Sequence, residues 1–144
     1  MNWRRQLKSF SSIVAALNFL LAAGCGNPSA MNASTASVKH ITQGEFAEEV
    51  TRATGPVVVD FYATWCGPCR VLAPMLDKLA TPLATKIKFF KVNIDESPGL
   101  AQNFQIEAIP TVLLFKDGKL ADRLTGLPTE AALQAKLEAL AAAK

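Results

Sequence analysis

Two cysteines three residues apart stand in Trp65-Cys66-Gly67-Pro68-Cys69, directly after a β-branched and aromatic run over residues 57–62. At the start of a helix, positions i and i+3 lie on one face, close enough for the two sulfurs to bridge. Cys66 would stand at the helix N-terminus, where unpaired backbone N–H groups and the helix dipole stabilise a thiolate. That lowers the thiol pKa and makes Cys66 nucleophilic near neutral pH. Cys69, one turn inside, is expected to be more buried and to act second. Other cysteine chemistries fit poorly. A tetrahedral zinc site needs four ligands, and the chain adds only a distant Cys25 and its single histidine, His40. An iron–sulfur cluster needs more thiolates. Covalent haem attachment needs a histidine directly after the second cysteine, where Arg70 stands. A purely structural disulfide across so small a loop would constrain little. Thiol–disulfide redox chemistry is the reading that remains.

The elements that must position this pair follow from the hydrophobic pattern. Residues 38–41 read as a short first strand. Thr42-Gln43-Gly44-Glu45 fits a capping box and predicts a helix over 43–53, broken by Gly55-Pro56. Residues 57–62 read as a buried strand. A helix is predicted over 66–80, with Pro74 inside it removing one backbone bond and kinking it. Residues 87–93 form the next strand. Ser97-Pro98 reads as an N-cap followed by proline at the first helical position, opening a short helix to 104. Residues 111–115 and 120–125 pair through a hairpin turn over 116–119. Thr129 caps a last helix whose Leu133, Leu137 and Leu140 share one face. Phe89 and Phe90 join that leucine stripe as core. The order βαβαβαββα predicts an α/β fold, a mixed sheet with helices on both faces.

Composition bounds what surrounds that domain. The chain has 144 residues, 15 Lys+Arg against 12 Asp+Glu, and half its residues are hydrophobic. One packed domain with a tail fits that length. The whole formal +3 lies in residues 1–30, in Arg4, Arg5 and Lys8, and residues 31–144 are neutral. The body therefore carries no charge excess that would steer it to nucleic acid. No apolar run reaches the ~18 residues of a membrane-spanning helix.

The first 25 residues have the layout of a secretory signal: a basic start over 1–8, an apolar stretch over 13–23 interrupted by Asn18, then Ala22-Ala23-Gly24-Cys25. Ala23-Gly24-Cys25 resembles the lipobox of bacterial lipoproteins, in which the cysteine is acylated. Ala22 stands where that motif usually has leucine, and Leu21 lies one place further out. Lipidation of Cys25 would hold the protein on a membrane. Residues 26–37 are small and polar and read as a flexible linker with a reach of about 20 Å. The expected organisation is a signal segment over 1–25, a linker over 26–37 and a domain over 38–144, exported to the periplasm or cell envelope. A start at Met31 would instead leave a cytoplasmic protein.

Asp60-Phe61-Tyr62-Ala63-Thr64-Trp65-Cys66-Gly67-Pro68-Cys69 resembles the signature of the thioredoxin family. The resemblance covers about residues 38–142 and includes Lys91-Val92-Asn93-Ile94-Asp95, Ile109-Pro110-Thr111 and Gly126 in the family's order. It implies the thioredoxin fold and a protein-disulfide reductase whose only redox group is the Cys66–Cys69 pair, with no cofactor or metal. Asp60 resembles the family's buried carboxylate behind the second cysteine. The strand pattern agrees, because a carboxylate in a strand apolar on both sides is poorly solvated and its pKa should rise. Such a group suits a proton acceptor for Cys69, through water. Lys91 resembles the lysine near that carboxylate.

Pro110 resembles the family's cis-proline facing the disulfide, and Ile109 would offer its backbone to an extended substrate. With Trp65, Gly67, Pro68 and Gly126 these residues imply a flat apolar docking surface. The resemblance further implies disulfide-containing protein substrates, a monomer, and an upstream thiol reductant, either a membrane thiol transporter or thioredoxin reductase. Tyr62 stands where tryptophan is commonest in the family. Gly-Pro between the cysteines resembles reducing members more than oxidising ones. An exported oxidant or isomerase, or a binding module with the same fold, are the competing readings.

Overall fold

The computed structural model describes residues 38–143. The signal-like segment, the linker, Cys25 and Met31 lie outside the described residues. β1 is Lys39–His40, and the backbone N–H of Ile41 extends its pairing by donating to the Lys91 carbonyl at 3.0 Å. α1, Gln43–Phe46, widens into a π-helical stretch, Ala47–Thr51, so the helix stops short of residue 53. Its start is fixed as the capping pattern predicts: the Glu45 carboxylate accepts from the backbone N–H of Thr42 at 2.8 Å. β2 is Pro56–Tyr62, α2 Gly67–Leu83, β3 Lys88–Asn93 and α3 Pro98–Asn103. β4 is Thr111–Lys116, β5 Lys119–Thr125 and α4 Glu130–Ala142.

The five strands form one mixed sheet in the order β1-β3-β2-β4-β5. β2 is parallel to β3 and antiparallel to β4, and so lies at the centre. Alternation along β2 sorts its side chains between two cores. Val57, Val59 and Phe61 join Phe46, Val50, Leu100 and Phe115 on the α1/α3 face. Val58 joins Leu72, Leu76, Leu133 and Leu137 on the α2/α4 face. Asp60, next in that alternation, therefore enters the layer under α2.

The end of α2 also differs from the sequence expectation. α2 runs through both Pro74 and Pro82 to Leu83, because Leu72, Leu76, Leu79 and Ala80 are buried along one side and that packing carries the helix past the missing donors. Ser97 is the N-cap of α3 with Pro98 following it, as expected; its carbonyl accepts from the N–H groups of Leu100 and Ala101, and its side chain makes no capping bond. The β4–β5 turn has Asp117 and Gly118 at φ 50° and 75°, the left-handed pair a two-residue hairpin requires. A Cβ on Gly118 would stand 2.0 Å from the Thr51 carbonyl oxygen, so glycine is required there for space as well.

Candidate active site

β2 ends at Tyr62, and the chain turns through residues 63–66 into α2. Cys66 is the N-cap of α2 in extended conformation (φ −78°, ψ 111°), and Pro68 falls in the first turn, where no N–H is needed. The backbone N–H of Cys69 donates to the Cys66 sulfur at 3.2 Å, so the sulfur takes the place of a capping oxygen. Cys66 and Cys69 are joined as a disulfide with their Cα atoms 5.3 Å apart. In this oxidised state both are buried to the same degree, 3% and 4% exposed. The expectation of a more buried Cys69 is thereby corrected: Tyr62, Ile94 and Ile109 pack against the cluster that both cysteines share.

Asp60 lies on β2 beside Lys91 on β3 in the parallel register, so both project to the α2 face. Asp60 is 3% exposed and its Oδ1 has no hydrogen-bond partner. Burial pushes its carboxyl up to about 7, opposed only by the positive charge of Lys91. A cavity of about 170 Å³ is lined by Asp60, Cys69, Tyr62, Arg70 and Lys91. It has room for water and polar groups to hold it, and it joins the carboxyl to the second sulfur's surroundings. The Lys91 ammonium stands 6.0 Å from the centre of the Tyr62 ring. The Arg70 guanidinium donates to the Thr64 carbonyl at 3.1 Å.

The residues expected to form a docking surface come from three other places. The Ile109–Pro110 peptide bond is cis. The Thr111 hydroxyl donates to the Ala108 carbonyl at 2.7 Å, and the Gly126 N–H donates to the Pro110 carbonyl at 2.8 Å. Gly126 has φ 83°, a conformation that favours glycine. Trp65 is 65% exposed, its indole N–H held by the Asp95 carboxylate at 2.9 Å. Pro110 itself is buried, so the accessible part of this surface is Trp65, Gly67, Pro68, Ile109 and Gly126, with exposed Leu127 next to Gly126 in the chain. His40 stays outside the cysteine cluster, its Nε2 3.6 Å from Glu96 Oε2. Among the described residues no group of three or more His, Cys, Asp or Glu side chains could hold a metal ion.

The thioredoxin family model matches residues 37–139. The thioredoxin of Mycobacterium tuberculosis is 45% identical over 103 residues, covering 72% of this chain and 88% of the relative. Thioredoxin 1 of Synechococcus elongatus is 44% identical over 86 residues, covering 60% of this chain and 80% of the relative. The chloroplastic M-type thioredoxin of Pisum sativum is 46% identical over 101 residues, covering 70% of this chain and 59% of the relative. The chain belongs to the thioredoxin family. It is a thiol–disulfide oxidoreductase, and its redox group, the Cys66–Cys69 disulfide, is internal to the protein. Thioredoxins act on disulfide substrates and are reduced by thioredoxin reductase.

Two residues of the site carry no local signal in the sequence. Asp95 stands in a stretch already singled out, but nothing local shows that its carboxylate reaches back to Trp65. Arg70 follows the second cysteine, and only the helix geometry turns it into a cavity wall.

Proposed function

We propose that this thioredoxin-family protein works as a net reductant of protein disulfides at a cell-envelope membrane. The Cys66 thiolate attacks a substrate disulfide, forming a mixed disulfide and releasing one substrate thiolate. Cys69 then loses its proton to Asp60 through water in the shared cavity and attacks the Cys66 sulfur. That step releases the second substrate thiol and leaves the Cys66–Cys69 disulfide, two electrons having passed to the substrate. Lys91 tunes Asp60 by its charge. Trp65, Gly67, Pro68, Ile109, Pro110 and Gly126 form the docking surface, on which an extended substrate pairs with the backbone at Ile109.

The observation that carries this reading is the asymmetry of the two sulfurs' surroundings. Cys66 sulfur sits at a helix N-terminus and accepts an N–H, while Cys69 lines the cavity that holds an unpaired carboxyl poised near pH 7. The first cysteine is thus set up to exist as a thiolate and the second to give up its proton on demand.

The signal-like segment and Cys25 support export and a lipid anchor, with a membrane thiol transporter or thioredoxin reductase as the electron source and a monomeric working form. The intact mass of protein recovered from membranes tests this part: a mass matching cleavage before Cys25 with added acyl chains is expected, and full-length unmodified chain would refute it. Insulin reduction tests the chemistry. Parent protein should reduce insulin disulfides with dithiothreitol as donor, and equilibrium against glutathione should give a reducing potential; an oxidising one would make the chain an oxidant or isomerase.

A further inference from the structure

α3 is only six residues long, Pro98–Asn103, yet the chain leaving it must reach Ile109 and Pro110 at the disulfide. The helix closes with two crossed bonds: the N–H of Ile106 donates to the Ala101 carbonyl at 2.8 Å and that of Gln105 to the Gln102 carbonyl at 3.0 Å. This closure needs its middle residue in the left-handed conformation, a position usually filled by glycine. Here the residue is Gln105, at φ 50°. A side chain there is disfavoured unless the surroundings hold it.

Arg123 supplies the hold. It lies on β5 opposite Leu113 of β4, so it projects to the α1/α3 face. Its guanidinium donates to the Phe104 carbonyl at 2.6 Å and to the Gln105 carbonyl at 3.1 Å. These carbonyls flank the left-handed residue, and the helix's C-terminal end carries partial negative charge that a guanidinium complements. The Phe104 ring is fixed as well, 5.2 Å from that of Phe46 and 5.6 Å from that of Phe115. The Arg123 strand then continues to Gly126, whose N–H holds the Pro110 carbonyl. One strand thus grips the loop at its start, through a side chain, and at its end, through the backbone.

We infer that Arg123 is a positioning residue for substrate docking: its two bonds to Phe104 and Gln105 fix the direction in which residues 106–110 run, and so set Ile109 against the disulfide. This rests on the docking role proposed above for Ile109.

The test is steady-state reduction of insulin against reduction of a small aromatic disulfide, which needs no extended docking. Arg123→Ala should raise KM for insulin about fivefold or more and leave the rate with the small disulfide within about twofold. Arg123→Lys, which keeps the charge but loses the fork, should fall between parent and alanine variant. Gln105→Gly added to Arg123→Ala should recover most of the lost insulin KM, because glycine takes the left-handed conformation unaided. An unchanged insulin KM in Arg123→Ala, equal losses on both substrates, or no recovery by Gln105→Gly would each overturn the inference. Should the alanine variant fail to fold, the lysine variant with and without Gln105→Gly gives the same readings. Ile109→Ala separates the two levels: if it raises insulin KM while Arg123→Ala does not, docking stands and the brace falls. If Ile109→Ala has no effect, the apolar docking contact proposed for the Ile109 side chain fails.

Discussion

Residues 63–69 are held largely from within their own stretch of chain. Cys66 N–H bonds the Ala63 carbonyl, Cys69 N–H bonds the Cys66 sulfur, Arg70 bonds the Thr64 carbonyl, and the two sulfurs are joined. Residues 104–110 close locally onto α3 and are also held from a distance. Arg123 grips Phe104 and Gln105 across 19 and 18 residues, and Gly126, just past β5, grips Pro110. On the proposed function, the first loop carries the bond-making chemistry and the second presents the substrate to it. A reactive sulfur needs only a helix end and a nearby base, which a short segment on one strand and one helix can supply. A docking edge must face that sulfur from across the sheet, so only long-range contacts can place it.

The contrast can be broken by substitution. Changes at the cysteines and at Asp60 should strike small and large disulfides alike, and changes in the second loop should strike large ones alone. The largest effect is expected from Cys66→Ser, which removes the nucleophile: reduction of both insulin and a small disulfide should fall by about a thousandfold or more. Residual activity near that of the parent in a turbidity assay would contradict the assignment of Cys66.

Asp60→Asn comes next and has two readings. Turnover on both substrates should fall by about tenfold to a hundredfold near pH 7, since the acceptor for the Cys69 proton is gone. Stability should move the other way. A carboxyl that ionises near 3.8 when unfolded and at about 7 when folded holds its proton more tightly in the folded protein. The folded state is therefore unpenalised below about pH 4, loses stability as pH rises from 4 to 7, and stays lower above that. At ~1.36 kcal/mol per pH unit the gap amounts to as much as about 4 kcal/mol. Denaturant unfolding of the oxidised protein should show Asp60→Asn more stable than the parent at pH 8, with the difference vanishing towards pH 4. A difference independent of pH would mean that Asp60 is not buried as an acid.

Ile109→Ala should sharpen the contrast from the other side, raising insulin KM about tenfold while changing small-disulfide reduction little. The smallest effect is expected at the seam between the two loops. Asp95→Asn weakens the acceptor for the Trp65 indole, a solvent-exposed bond worth ~1 kcal/mol. Its signatures should be altered tryptophan fluorescence and a rise of about twofold to fivefold in insulin KM.

The strands and helices were legible wherever hydrophobic period and end signals coincided. Residues 57–62 announce β2, and Thr129 with Leu133, Leu137 and Leu140 announces α4. Packing overrides local preference at the end of α2, which passes the expected end at residue 80 because buried Leu79 and Ala80 carry the helix through Pro82 to Leu83. The reactive half of the site was legible because Cys66 and Cys69 are neighbours in sequence. Asp95 and Arg123 were not, because a carboxylate bonding 30 residues back and a guanidinium bonding 18 residues back leave no periodic trace.

By itself the sequence determined the redox pair, the helix terminus that activates it and the α/β order of elements. These depend on spacing over a few residues and on local backbone preference. Tertiary structure alone decided how deeply Asp60 is buried, that Cys66 and Cys69 are equally covered, and that one strand holds both ends of the docking loop. Burial, and with it the carboxyl's pKa, depends on what the opposing layer supplies, and a loop's direction depends on partners from distant parts of the chain.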